Sequence, residues 1–174
     1  SSVALTTVYA ALLRRTGELD KARPVLTPLA QGAPSADLAR AQLELARVYR
    51  DTGDLRAARS AYGEASKDGN FEARFEAALV ALDDRDPPGA HETLDALVKE
   101  AGDHPPPDLL LEAARARTLD GDPTGATTLL DQAEKLPGVA KWKLARERGR
   151  LAFRKGAYAD AVSELSSALE ASKD

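Results

Sequence analysis

Residues 42–65 read Gln-Leu-Glu-Leu-Ala-Arg-Val-Tyr-Arg-Asp-Thr-Gly-Asp-Leu-Arg-Ala-Ala-Arg-Ser-Ala-Tyr-Gly-Glu-Ala. With Leu38 and Ala41 just upstream, Leu45, Ala46 and Tyr49 recur at spacings of three and four, the apolar face of a helix. Asp51-Thr52-Gly53-Asp54 then breaks the pattern. Gly53 can take the left-handed conformation that ends a helix, and Asp54 can cap the next one. Leu55, Ala58, Tyr62 and Ala65 line one face of that second helix, and Ser66-Lys67-Asp68-Gly69-Asn70 closes the segment. The stretch therefore predicts two short helices joined by a tight turn.

The same phrase occurs five times. Its recurring alanines are Ala22, Ala58, Ala90, Ala126 and Ala161, spaced by 36, 32, 36 and 35 residues. A period of this size signals a stack of like supersecondary units. The first has Val8, Tyr9 and Leu12, the turn Thr16-Gly17-Glu18, then Leu19, Ala22, Leu26 and Leu29. The third has Phe75, Ala78 and Leu82, the turn Asp83-Asp84-Arg85-Asp86, then Ala90, Leu94 and Leu97. The fourth has Leu110, Ala113 and Ala114, the turn Asp120-Gly121-Asp122, then Ala126, Leu130 and Ala133. The fifth has Leu144, Gly149, Ala152 and Phe153, the turn Lys155-Gly156-Ala157, then Ala161, Leu165 and Ala168. Pro87, Pro88 and Pro123 fall where a helix begins and a missing N–H costs least. Pro24 and Pro28 fall inside the second helix, which should be kinked, short or frayed. No strand-like alternation competes with this reading.

Composition agrees. Apolar residues make up 43% and charged residues 30% of the 174, as in a folded rather than a disordered chain. With only three Phe, four Tyr and one Trp, small side chains must fill the interfaces, so the helices should pack closely. A net charge of −4 argues against a nucleic-acid face, which would be basic. The absence of cysteine excludes disulfides, thiolate metal sites and thiol nucleophiles without choosing a compartment. No apolar run is long enough to span a membrane. Sixteen arginines against eight lysines, with abundant Ala, Gly and Pro, suit a GC-rich bacterial genome. A start at Ser1-Ser2 without Met and an end mid-pattern at Asp174 suggest a piece of a longer or processed chain.

The segment Gln42-x2-Leu45-Ala46-x2-Tyr49, followed by Ala58-x3-Tyr62-x2-Ala65, resembles the tetratricopeptide (TPR) pattern W-x2-L-G-x2-Y, then A-x3-F, then P. Ala22-x3-Leu26 with Pro34 supports it in the first repeat, and Gly149 with Ala161-x3-Leu165-x2-Ala168 supports it in the fifth. The resemblance implies an all-α, right-handed α-solenoid of about ten antiparallel helices. The expected repeats are approximately residues 3–36, 38–70, 71–104, 107–140 and 142–174. No repeat has the family's tryptophan in place, since Trp142 falls three residues early. Arg117 and Arg148 stand where the family packs an apolar residue; their stems are expected to cover the interface while their heads reach water. No polar capping helix follows the fifth repeat, so an apolar flank should be exposed there unless Lys155, Glu164 and Lys173 suffice.

Candidate chemistry is thin. His91 and His104 lie far apart, and His91-Glu92 lacks the second histidine of the helical zinc motif. Gly121-x3-Gly125 lacks the lysine and hydroxyl of a phosphate loop and fits a turn. Nothing assembles a nucleophile, a base and an orienting group. The expectation is a non-catalytic module with no cofactor and no metal.

In TPR arrays the first helices line a concave groove that binds partner peptides. The resemblance implies a groove beginning with Thr7, Ala11, Arg14 and Arg15 and continuing with Arg40, Leu43, Glu44, Arg47 and Arg50. Phe75, Glu76, Leu79 and Leu82 follow, then Glu112, Arg115, Lys143, Arg146, Glu147, Arg150 and Arg154. Glu44/Arg47, Glu112/Arg115 and Glu147/Arg150 recur three residues apart. Such pairs stabilise any solvated helix by a few tenths of a kcal/mol. They can equally form a polar ladder for an acidic partner, with Phe75, Leu79 and Leu82 as its apolar anchor. On that view, reversing Arg47, Arg115 and Arg150 to glutamate abolishes capture and leaves melting nearly intact. The clamp for acidic chaperone tails is not implied, because Thr7, Ala11, Glu44, Lys143 and Arg146 replace most of its lysines and asparagines. The expected role is a scaffold or adaptor for a protein or peptide. Two alternatives stand beside it: self-association through the terminal repeats, and a small-ligand sensor with its pocket at Phe75, Leu79 and Arg115.

Overall fold

A computed structural model describes residues 2–32 and 35–173. Ser1, Pro34 and Asp174, which entered the sequence reading, lie outside the described residues. Among the described residues all regular structure is helical. The helices form two compact units, divided between Asp84 and Arg85.

The N-terminal unit holds α1 (Ser2–Arg15), α2 (Leu19–Leu29), α3 (Ala36–Asp51), α4 (Leu55–Ala65) and α5 (Phe71–Asp83). The C-terminal unit holds α6 (Pro87–Ala101), α7 (Pro107–Asp120), α8 (Pro123–Glu134), α9 (Lys141–Arg154) and α10 (Tyr158–Ala171). The third expected repeat is thus shared, α5 belonging to one unit and α6 to the other.

Local chemistry sets the helix ends. Asp54 accepts a hydrogen bond from the Ala57 N–H at 3.0 Å, and Asn70 accepts from Ala73 at 3.1 Å. Asp86 and Asp122 do the same for the N–H groups of Gly89 and Gly125, each just ahead of a proline at the first helical position. These caps satisfy donors that the first helical turn leaves unpaired. The helix α2 runs its 11 residues through Pro24 and Pro28, no shorter than α4. Both prolines are exposed, so solvent can reach the carbonyls they leave without an N–H partner.

The turn between α5 and α6 is the exception to a glycine rule. Gly17, Gly53, Gly121 and Gly156 occupy positive φ in the other helix–turn–helix joins, whereas here Arg85 adopts φ 59°. A side chain in that region costs about 1–2 kcal/mol. Arg85→Gly is therefore expected to stabilise by about 1 kcal/mol, raising the melting temperature by about 2–4 °C. Calorimetry that found no rise would refute strain at this turn.

All five recurring alanines are buried, four of them completely. Their small side chains let second helices pack closely on their neighbours. Ala10, Leu13, Ala22 and Leu26 of α1 and α2 enclose Leu45 and Val48 of α3. On its other side α3 contributes Leu43 and Ala46 to a cluster with Ala58, Tyr62, Ala65, Ala73 and Val80. The helix α3 thus joins two cores, which is how a stacked repeat buries apolar area without a single globular centre. In the C-terminal unit α7 buries Leu109, Leu110, Leu111, Ala113, Ala114 and Ala116, so it is covered nearly all round.

The two terminal helices depart from expectation. Val8, Tyr9 and Leu12, read as the packed face of α1, are exposed; the buried positions are Thr7, Ala10 and Leu13. The helix α10 buries only Ala161 and Ala168 and leaves Tyr158, Val162 and Leu169 exposed, so an apolar flank is present there.

Candidate functional site

The first helices of the N-terminal unit carry a chain of ion pairs. Arg14 Nε donates to Glu44 at 3.2 Å, and Arg14 Nη1 donates to Asp51 at 2.9 Å. Glu44 also accepts from Arg47 Nη1 at 2.5 Å. Arg47 Nε donates to both oxygens of Glu76, at 2.9 and 3.2 Å, and its Nη2 reaches Glu72 at 2.5 Å. Glu76 accepts in addition from Arg50 at 2.9 Å and from the Tyr62 hydroxyl at 2.7 Å. The ladder therefore runs from α1 through α3 to α5 and ties successive helices together.

Burial governs its electrostatics. The side chains of Arg47 and Glu76 are only 15% and 13% exposed. Burial alone would push the Glu76 carboxyl up, but hydrogen bonds from Arg47 and Tyr62 outweigh it and hold the group below its ordinary value. Burial and the neighbouring Glu76 raise the Tyr62 phenol. Arg47 and Glu76 are thus committed to the fold, a role beyond the two that the three-residue spacing suggested.

Other expected groove residues scatter. Leu43 and Leu82 are corrected: both are buried, Leu43 within the core around Tyr62, and neither can anchor a partner. Phe75 and Leu79 are half-buried, with the Phe75 ring stacked on Phe71 at 6.5 Å. Arg40 is exposed. Lys143 holds both Asp108 oxygens at 2.9 Å. The heads of Arg117 and Arg148 do not simply reach water as expected. Arg117 binds Asp95 and Asp122. Arg148 binds Asp131 and Glu134 on α8.

Within the C-terminal unit the remaining candidates converge. Arg115, Glu147, Arg150 and Arg154 line a pocket of about 510 Å³ together with Thr118, Leu119, Phe153 and Leu165. Glu147 is 2% exposed and fully spoken for: Arg146 Nε donates to it at 2.7 Å and Arg150 Nη1 at 2.9 Å. Arg115 pairs with Glu112 at 3.2 Å, and Arg154 donates to the Leu119 carbonyl at 3.2 Å. Phe153 stands 60% exposed, its ring edge-on to Tyr158 at 5.7 Å. Three guanidinium groups and one buried carboxylate thus share a pocket with three large apolar side chains.

Sequence reading found the arginines and missed Leu119, Phe153 and Leu165, the last two being assigned to the packed faces. The signal was there for Phe153. Leu144 and Leu151 fix the buried stripe of α9, and a residue two places beyond Leu151 lies about 200° around the helix. The expected sensor pocket around Phe75, Leu79 and Arg115 differs from this one, whose other lining residues come from α7, α9 and α10.

Stacked helix pairs with recurring buried alanines define a helical-repeat protein. The tetratricopeptide repeat profile matches residues 43–105 and 75–140, together more than half of the sequence, and the chain belongs to that family. Solved structures agree. A fragment of MamA from Desulfovibrio magneticus RS-1, residue 41 to the end, matches with a TM-score of 0.80 at 16% identity, covering 99% of this chain and 96% of that one. The kinesin light chain nearly identical TPR-like repeats from Podosopora anserina match with a TM-score of 0.77 at 18% identity, covering 96% and 93%. At such identities the likeness is one of fold, the TPR-type helical solenoid. No curated protein matches the sequence. TPR proteins are in general non-catalytic scaffolds for protein–protein interaction. Among the described residues no helix is long and apolar enough to cross a membrane.

Proposed function

We propose that the chain is a scaffold or adaptor whose C-terminal unit captures a peptide segment carrying carboxylates beside an apolar side chain. One observation carries the reading: Phe153, Leu119 and Leu165 line one pocket with Arg115, Arg150 and Arg154. Two carboxylates already meet arginines here: Glu147, which is buried, pairs with Arg146 and Arg150, and Glu112 pairs with Arg115. The lining keeps an excess of positive charge although the whole chain is acidic. An apolar anchor entering the pocket would be desolvated while flanking acids meet guanidinium groups, the usual division between interface core and rim.

The test combines Phe153→Ala with Arg154→Glu. Both side chains are exposed, so helicity and melting should hardly change. Affinity for synthetic peptides with Asp or Glu flanking Leu or Phe, read by fluorescence anisotropy, should fall by about tenfold or more, equivalent to at least about 1.4 kcal/mol. Unchanged affinity would move the contact surface elsewhere.

A further inference from the structure

The exposed face of α1 has an internal template. The 36-residue shift from Ala22 to Ala58 carries Leu5, Tyr9 and Leu12 onto Ala41, Leu45 and Val48. Those three are buried, and Leu45 and Val48 sit in the cluster formed by α1 and α2. The shift from Ala22 to Ala161 carries the same trio onto Leu144, Arg148 and Leu151. Leu144 and Leu151 are again buried, and Arg148 reaches back to Glu134 at 2.8 Å on the preceding α8. In both units these three places are where a first helix docks on the helix pair before it. In α1 all three are apolar and more than half exposed.

The matching receptor is at the other end of the chain. Ala10, Leu26 and Ala30, which receive α3, correspond to Gly149, Leu165 and Leu169. Glu134, the partner of Arg148, also corresponds to Leu169. The charged pair of the internal junction is therefore replaced, between α1 and α10, by Tyr9 and Leu169, a pair suited to each other and to no ion. Charge agrees as well. The helix α1 has no acidic residue and ends in Arg14 and Arg15, whereas α10 carries Asp160, Glu164 and Glu170 and no base. Arg59 near the start of α4 pairs with Asp84 just beyond α5, so a second helix begins beside the end of the next first helix. The same arrangement between copies brings Arg15 to the start of α10, where Asp160 sits.

From this correspondence we infer that the chain associates head to tail, the Leu5–Tyr9–Leu12 face of α1 docking on the Leu165–Leu169 face of a second copy. The inference does not rest on the peptide reading, although Leu165 also lines that pocket. Because unlike faces meet, each bound copy still offers one free end, and assembly continues past two copies unless the ring closes.

Two variants and their mixture test it by sedimentation velocity on the 174-residue chain. Tyr9→Glu with Leu12→Glu blocks one end, and Val162→Glu with Leu169→Glu blocks the other. All four side chains are exposed, and circular dichroism verifies folding; Leu5→Lys supplies a milder block of the first end. The unaltered chain should grow in mass with concentration. Each blocked variant should stay single alone, and the mixture should form a complex of two copies and stop there. A chain that remains single up to millimolar concentration overturns the inference. So does a mixture that does not combine, or either blocked variant dimerising alone, which would mean like faces meeting.

Discussion

Arg47→Glu should destabilise the N-terminal unit by about 4 kcal/mol, the cost of leaving buried charge unpaired. The substitution removes the guanidinium shared by Glu44, Glu72 and Glu76 and sets a fourth carboxylate among them. Arg14 remains on Glu44, and Arg50 and Tyr62 remain on Glu76, so the charge left without a counter-ion is the new carboxylate itself. For a unit of this size melting should fall by roughly 15 °C or more. The pH dependence has a definite sign. Glu76 is held below its ordinary value in the folded protein, so its stabilisation is complete above an unfolded carboxyl value of about 4.3. It is lost as pH falls through the folded value. In the variant the clustered carboxylates repel one another until they are protonated, so the gap between the two proteins narrows on acidification. Thermal melts at neutral pH and near pH 4 measure it. A variant melting within a degree or two of the parent would mean that Arg47 is free for a partner after all.

Gly149→Leu is expected to cost about 3 kcal/mol in the C-terminal unit, by overpacking. A Cβ at this buried position would lie 2.6 Å from Leu165 Cγ and 3.3 Å from the Leu165 backbone nitrogen. Gly149→Ala is the control. The Leu165 side chain is partly exposed and can swing aside, and alanine gains up to about 1 kcal/mol in helix propensity over glycine, so the two effects nearly cancel. A leucine side chain has no such exit and must lift α10. Denaturant unfolding that placed both variants together would show that α9 and α10 separate more easily than their packing implies.

The helices and their turns were legible because periodicity, caps and turn glycines are local signals. The five alanines gave the packing points for the same reason. The faces were less legible at the termini. Val8, Tyr9 and Leu12 carry the apolar spacing of a packed stripe, yet spacing cannot say whether a neighbour is present to cover it. Arg47 shows the limit for charge. A glutamate three residues back and a glutamate 29 residues on look alike as surface residues until the fold puts both on one guanidinium. Phe153 was assigned to the packed face of α9 because it is large and apolar; its angle around the helix put it on the open side.

The ion pairs along α1, α3 and α5 also bear on how the chain avoids assembling wrongly. Near-identical repeats can exchange partners during synthesis, a characteristic failure of repeat proteins. Here the interchange is discriminated against. At the places of Glu44 and Arg47, α1 carries Val8 and Ala11, and α5 carries Glu76 and Leu79. A misplaced α1 would face Glu76 with an alanine, leaving that carboxylate without Arg47. The charges thus act as an address on each helix, and the correct neighbour is the one that reads it.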